Sequence, residues 1–221
     1  MKVFIVGIAG GVGRRVATRL AEQGDDVGGL VRRSAQVADF ATEGITATLG
    51  DIVKLSPEEL AEMIRGYDAT VFTAGAGGKG GPETIDQIDG AGPGKLAKAA
   101  KIAGVSRIVL VSVFPEAWRE RRMGEEFEHY MVAKKQAESE LVLTDRDWVI
   151  VRPSALNNDP GIGLVDLGLA KVHEEITRDD VAETVVEILR QLDVSRIILE
   201  VTGGPTPIAE AVSAMAGAGR A

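Results

Sequence analysis

The sequence predicts an α/β fold, a doubly wound parallel sheet in a three-layer α/β/α arrangement, formed as a single domain over residues 1–221. Three observations predict it. Short apolar, β-branched runs alternate with helix-period segments from one end of the chain to the other. The runs are continuously apolar, as in strands covered on both faces, so the connections are right-handed crossovers within a parallel sheet. A glycine-rich turn joins the first run to the first helical segment. The hydrophobic fraction of 45% suffices for a full core, and no linker, repeat or low-complexity segment divides the chain.

Taken in order, Val3–Val6 is the first strand and residues 12–22 the first helix, with Val12, Val16 and Leu20 at helical spacing and Gly24 closing it. Val27–Val31 and Ile45–Leu49 are the second and third strands. Ser56-Pro57-Glu58-Glu59 starts a helix, with serine as cap and proline in the first turn. Ala69–Phe72 is the fourth strand. Residues 84–103 are helical, and Gly92-Pro93-Gly94 predicts a kink or break within them. Ile108–Val111 is the fifth strand, 128–143 an amphipathic helix and Trp148–Val151 the sixth strand. Thr177 caps a further helix, with Ile176 stapled towards Val181. Ile197–Val201 is the seventh strand, and the alanine-rich tail after Gly203-Gly204 suggests one short helix.

Composition narrows the chemistry. The chain has no cysteine, which excludes disulfides, cysteine–zinc sites and thiol catalysis, and its two histidines, His129 and His173, make a multi-histidine metal site an unsuitable reading. The formal net charge of -8 argues against nucleic-acid binding, which needs a basic surface. Glycines interrupt the apolar start and Arg14-Arg15 follow, so it reads as a buried strand and not a signal peptide. No stretch reaches the ~18 apolar residues of a membrane span. The expectation is a cytoplasmic protein, monomer or homodimer, without a membrane or nucleic-acid partner.

Gly7-Ile8-Ala9-Gly10-Gly11-Val12-Gly13 ends a strand and opens a helix. Gly7 suits a tight turn, Gly10 a close approach of backbone to a pyrophosphate, and Gly13 close packing of helix on strand. Ala9, Gly11 and Val12 complete a loop whose amides, at a helix N-terminus, favour phosphate. The spacing, Gly-x-x-Gly-x-x-Gly, is not that of simple dehydrogenases. A dinucleotide is expected, and the end of the second strand indicates which. NAD-binding sheets place an acid there, whereas this chain has Arg32 and Arg33, which suit the 2′-phosphate of NADP(H). Surface charge is the alternative reading of that pair, and NAD(H) the alternative cofactor. Asp51, beside Ile52, is placed to reach the adenine edge. Thr73-Ala74-Gly75 leaves room for nucleotide across the sheet, and the glycine-rich loop 75–82 is expected to fold over ligand.

Tyr130 and Lys134 lie four apart on one helix face. An adjacent ammonium favours the phenolate, so Lys134 is expected to lower the phenol's pKa while also bonding the nicotinamide ribose. Tyr130 then exchanges a proton with a carbonyl or alcohol as hydride moves. An exposed helix face is the plainer reading of the pair. Ser112 closes the fifth strand, where such helpers sit. His129 reads as surface or rim, and no partner for His173 is evident.

The chain resembles the short-chain dehydrogenase/reductase superfamily, and is most similar to its atypical branch of small NAD(P)-binding Rossmann proteins related to biliverdin reductase B and the flavin reductase-like proteins. The resemblance spans nearly the whole chain. It rests on Gly7-x-x-Gly10-x-x-Gly13, Gly50-Asp51, Ile88-Asp89-Gly90-Ala91, Val109-Leu110-Val111-Ser112, Tyr130-x-x-Ala133-Lys134, Val151-Arg152-Pro153 and Ile176-Thr177-Arg178-Asp179-Asp180-Val181-Ala182. It implies a Rossmann fold, NADP preference, cofactor contacts from Arg32, Asp51, Ala74-Gly75 and Pro153, and catalysis by Tyr130 and Lys134. Asp89 stands where relatives often carry a helix asparagine. The family's serine usually follows the position of Ser112, where this chain has Val113-Phe114, and Gly92-Pro93-Gly94 falls where relatives continue a helix.

The expected function is an NADPH-dependent reductase of a small carbonyl, quinone or flavin-like acceptor. The alternative is a non-catalytic NADP(H)-binding redox sensor. Residues 154–175 form the small substrate side, and Phe114–Phe127, with Trp118 and Met123, reads as a lid, a partner surface or an exposed charged loop. An epimerase of nucleotide sugars is disfavoured, since the chain has no additional C-terminal domain.

Overall fold

The structure, a computed structural model, describes residues 1–218 apart from 78–79, 116, 119–120 and 122. In chain order the strands are β1 (Lys2–Val6), β2 (Asp26–Val31), β3 (Thr46–Leu49), β4 (Ala69–Phe72), β5 (Arg107–Val111), β6 (Asp147–Pro153), β7 (Ala155–Asn157), β8 (Leu164–Gly168), β9 (Glu175–Thr177), β10 (Ile197–Gly203) and β11 (Thr206–Pro207). The helices are α1 (Gly11–Glu22), α2 (Ser34–Ala41), α3 (Pro57–Ile64), α4 (Gly81–Ile85), α5 (Ala91–Ala103), α6 (Glu125–Val142), α7 (Arg178–Arg190) and α8 (Ile208–Ser213). The main sheet runs β11-β8-β10-β6-β5-β4-β1-β2-β3, parallel except where β8 meets β10 and β11. This is a single-domain Rossmann-type sheet. Strands β7 and β9 pair in parallel as a separate ribbon.

Strand pleating divides the apolar residues between two layers. Val3 and Ile5 point towards α1 and α7, joining Val16, Leu20, Val181 and Val185. Phe4 and Val6 point the other way, joining Phe72, Leu96 and Leu60 beneath α3 and α5. Phe4 and Phe72 are 0% exposed, and burying such a side chain contributes roughly 1.5–3 kcal/mol over leaving it in water. Strands with both faces covered favour apolar residues throughout, which is why the central ones were legible; all seven sequence-predicted strands appear, although β3 at the edge has no buried residue.

Helix starts also follow local chemistry. Ser56 accepts the Glu59 amide and Glu59 answers to the Ser56 amide, a reciprocal cap. Thr177 accepts the Asp180 amide at 2.9 Å, and Ile176 and Val181 lie buried in one cluster.

Three features depart from the sequence reading. Helix α2 was not foreseen, because Phe40 is its single buried residue and its pattern is correspondingly faint. Strands β7, β8, β9 and β11 are short or half polar and carry no continuous apolar run. The irregularity expected at Gly92-Pro93-Gly94 lies one turn earlier, as a π-helical turn at Asp86–Gly90, while α5 runs through the three residues unbroken. Pro93 has no amide to give and its ring crowds the carbonyl one turn back, so the widening falls upstream of it. Gly92 is required there for packing: a Cβ would come within 2.7 Å of the Phe72 ring.

Among the described residues no helix is long and apolar enough to cross a membrane.

Candidate functional site

A cleft of about 1140 Å³ opens at the carboxyl ends of β1, β2, β4 and β5. It lies where the strand order reverses, between β1 and β4, which is where open parallel sheets take ligands.

One wall is the glycine turn. Gly7 has φ +94°, and a Cβ there would collide with the Ala74 backbone, so only glycine fits. The Gly10 amide donates to Gly7 O at 2.9 Å, which tightens the turn. No side chain caps α1, so its first amides remain available to an anion. Gly7, Ala9, Gly10, Gly11 and Val12 line the cleft. Gly13 lies beneath it, pressed on Gly7 O and Thr73 Oγ1, and serves the packing of α1 on β1. Thr73, Ala74 and Gly75 form the floor beside the turn. Of the loop beyond, Ala76 and Gly77 line the cleft, while residues 78–79 lie outside the described residues.

Arg32 and Arg33 stand at the mouth, both exposed, with no carboxylate partner among the described residues. Gln36 and Ile52 lie beside them. Two expected contacts are absent from the lining. Asp51 is half-buried beside the cleft, and its carboxylate accepts the Val53 amide at 3.0 Å. Pro153 is buried within β6, opposite Val201 of β10.

The far wall carries Ser112, Tyr130, Lys134 and Asp89. Lys134 is almost wholly buried; its Nζ lies 3.6 Å from Asp89 Oδ1 and donates a long bond, 3.4 Å, to Val111 O. Asp89 is 1% exposed, its Oδ2 accepting the Ala76 amide at 2.9 Å while Oδ1 has no hydrogen-bond partner. Ser112 Oγ is likewise buried and unbonded. Two orphaned polar atoms in one cleft mark places for a ligand's hydroxyls or amide.

The shift at Tyr130 runs opposite to the direction expected from Lys134 alone. The phenol is pushed well above its usual value, first by burial and then by the Asp89 charge. Burial also pushes Lys134 down, against the pull of Asp89 and Glu138. The ammonium faces Asp89, and its Nζ lies 5.9 Å from the tyrosine ring centre. Helical spacing shows which residues share a face; it is silent on a carboxylate delivered by another helix.

Phe127, Met123, Glu126 and Leu156 complete the acceptor side, and Arg178 closes the phosphate side. Leu156 falls within the segment expected on the substrate side, and Met123, Glu126 and Phe127 within the segment for which a lid was one reading; Arg178 was given no site role. A signal existed for Arg178: it is a cation in the first turn of α7, where acids are favoured. His129 bonds Asp86 at 2.8 Å, half exposed, at the rim. His173 does have partners, the rings of Phe114 and Trp118 at 5.3 and 5.6 Å.

A glycine turn with free amides, paired cations at the end of β2 and orphaned groups deep in the cleft together fit a phosphorylated dinucleotide. The NAD(P)H-binding family profile matches residues 7–192. The chain belongs to the NAD(P)H-binding family. This NAD(P)H-binding protein is 36% identical over 213 residues to the uncharacterized sugar epimerase YhfK of Bacillus subtilis, covering 96% of this chain and 99% of YhfK. Among solved structures it is similar to a Bacillus halodurans protein described as an NAD-dependent epimerase/dehydratase, with 29% identity, 97% and 99% coverage and a TM-score of 0.87. It is also similar to the oxidoreductase ylbE of Lactococcus lactis, with 31% identity, 97% and 96% coverage and a TM-score of 0.85.

Proposed function

We propose that the chain is an NADP(H)-dependent reductase of a small carbonyl, quinone or flavin-like acceptor. The observation that carries this reading is that the phosphate turn and the Ser112, Tyr130 and Lys134 group line one continuous cleft. A nicotinamide held there supplies hydride. Arg32 and Arg33 would hold the 2′-phosphate by charge-assisted hydrogen bonds. Tyr130 keeps its proton, because burial and Asp89 oppose the phenolate. It is therefore suited to donate to an oxygen that becomes basic during reduction, and ill suited to abstract a proton in the reverse direction. Ser112 Oγ, unbonded in the protein, gives the acceptor a second hydrogen bond. Lys134 is positioned by Asp89, and its remaining donors would be free to hold the nicotinamide ribose. A non-catalytic NADP(H) sensor is the second reading, favoured by the commitment of Lys134 to Asp89 and away from the phenol.

The test is a titration with NADPH and NADH, followed by NADPH oxidation with a panel of quinones, flavins and aldehydes. NADPH is expected to bind about tenfold or more tightly than NADH, the value of at least one charge-assisted bond. Tyr130→Phe is expected to lower turnover by about 10²–10⁴-fold. Tight NADPH binding with no turnover on any acceptor selects the sensor. Equal affinity for NADH overturns the role of Arg32 and Arg33.

A further inference from the structure

Arg178 is the first residue of α7, reached through the short strand β9, and its side chain crosses to the first turn of α1. A Cβ on Gly11 would lie 2.8 Å from Arg178 Cδ and 2.9 Å from its Nε. Glycine at position 11 therefore makes room for this arm as well as for a ligand. The arm is aimed by its tip: Nη1 donates to Asn157 O at 3.1 Å, Asn158 Oδ1 at 3.0 Å and Leu156 O at 3.4 Å.

The electrostatics are unfavourable without an anion. The guanidinium stands at the positive end of two helix dipoles, α1 and its own α7, where cations are disfavoured. No carboxylate lies within ion-pair distance among the described residues. The acids beside it are engaged elsewhere. Asp179 faces Arg15 at 3.2 Å and Arg19 at 3.6 Å. Asp180 bonds Thr177 Oγ1 at 2.8 Å and the Gly163 amide at 2.8 Å. Arg178 nevertheless lines the same cleft as the α1 amides and the buried, unbonded Asp89 Oδ1 and Ser112 Oγ.

We infer that Arg178 is a binding residue for the diphosphate bridge of the dinucleotide, a side-chain cation facing the phosphates beside the α1 amides. The inference rests on the dinucleotide reading and adds to it a ligand from the C-terminal third of the chain. Arg178 thereby ties the β7–β9 ribbon to cofactor occupancy, since the same guanidinium holds residues 156–158 by Nη1.

The experiment is calorimetric titration of the full chain and of Arg178→Gln with NADPH, ADP-ribose and adenosine 2′-monophosphate. ADP-ribose carries the diphosphate without nicotinamide; adenosine 2′-monophosphate carries only the phosphate assigned to Arg32 and Arg33. The glutamine variant is expected to bind NADPH and ADP-ribose about tenfold or more weakly, with adenosine 2′-monophosphate unchanged. Arg178→Lys, which keeps the cation and gives up the fork, is expected to recover part of the loss. ADP-ribose affinity within about twofold of the parent overturns the inference. Equal weakening of adenosine 2′-monophosphate overturns it too, since that marks a collapsed pocket and not a missing charge. If Arg178→Gln does not fold, the lysine variant decides by the same comparison: weaker ADP-ribose with adenosine 2′-monophosphate unchanged upholds it, and any other pattern overturns it. If the parent chain binds none of the three ligands, the dinucleotide reading itself falls.

Discussion

Asp89 and Tyr130 together give the site a measurable signature in base. The phenol's folded value is raised by burial and by the Asp89 carboxylate, whereas in the unfolded chain it titrates near ~10. Between those two values the unfolded chain holds fewer protons. The stability that Tyr130 contributes is therefore complete below the unfolded value and declines as pH rises above it. Tyr67 is raised in the same direction, by burial and then Asp26, and Lys134 acts oppositely because its folded value is depressed. Replacing only the phenol isolates its share. Melting midpoints of the parent and Tyr130→Phe, followed from about pH 9 to about pH 11, are expected to diverge, with the parent falling more steeply. Parallel curves would refute the burial assigned to this hydroxyl. The sequence placed Tyr130 and Lys134 on one helix face correctly. The direction of the phenol's shift was hidden, because it is set first by burial and then by Asp89, which arrives from the π-helical turn of a different helix.

At the scale of elements, α1 sits on β1 through a contact with no room for a methyl group. A Cβ at Gly13 would lie 2.6 Å from Thr73 Oγ1 and closer still to Gly7 O. Gly13→Ala should therefore cost about 1–3 kcal/mol, as overpacking does, and weaken dinucleotide binding by displacing the helix start. Urea midpoints and an NADPH titration check both parts; a variant of parental stability would show that α1 can shift freely. The role of this glycine was legible, since a strand, a turn and a helix in sequence leave few geometries. Asp51 illustrates the opposite case. Its place after β3 suggested a ligand contact, yet the chain turns at once and the carboxylate caps that turn. Strand-end position indicates where a residue is, and the local turn determines where its side chain points.

Across the whole molecule, Arg107 joins segments far apart in sequence. It is 3% exposed at the start of β5, pairs with Asp147 at 2.8 Å, and donates to Ile188 O and Val194 O at 2.7 and 2.8 Å. A cation thus closes the C-terminal end of α7 and binds the segment that leads into β10. Arg107→Met leaves Asp147 and those carbonyls without this donor, and is expected to destabilise the fold by about 3–5 kcal/mol in urea unfolding. A loss below about 1 kcal/mol would reduce it to an ordinary surface pair. No local pattern announces such a residue, because its acceptors are assembled by the fold. The parallel core was readable from its uninterrupted apolar runs, and the antiparallel addition of β8 and β11 was not, because β8 is only partly covered.

That addition bears on assembly. The row of amides along one margin of the sheet finishes at β11, a strand of two residues, and one of them, Pro207, has no N–H to offer. A neighbouring chain seeking to extend the sheet there meets almost no ladder to join. The opposite margin, β3, is four residues long and keeps its outer side unpaired. Of the two margins, β3 therefore offers the longer continuous free edge, and β11 covers only Leu164 and Val165 of β8.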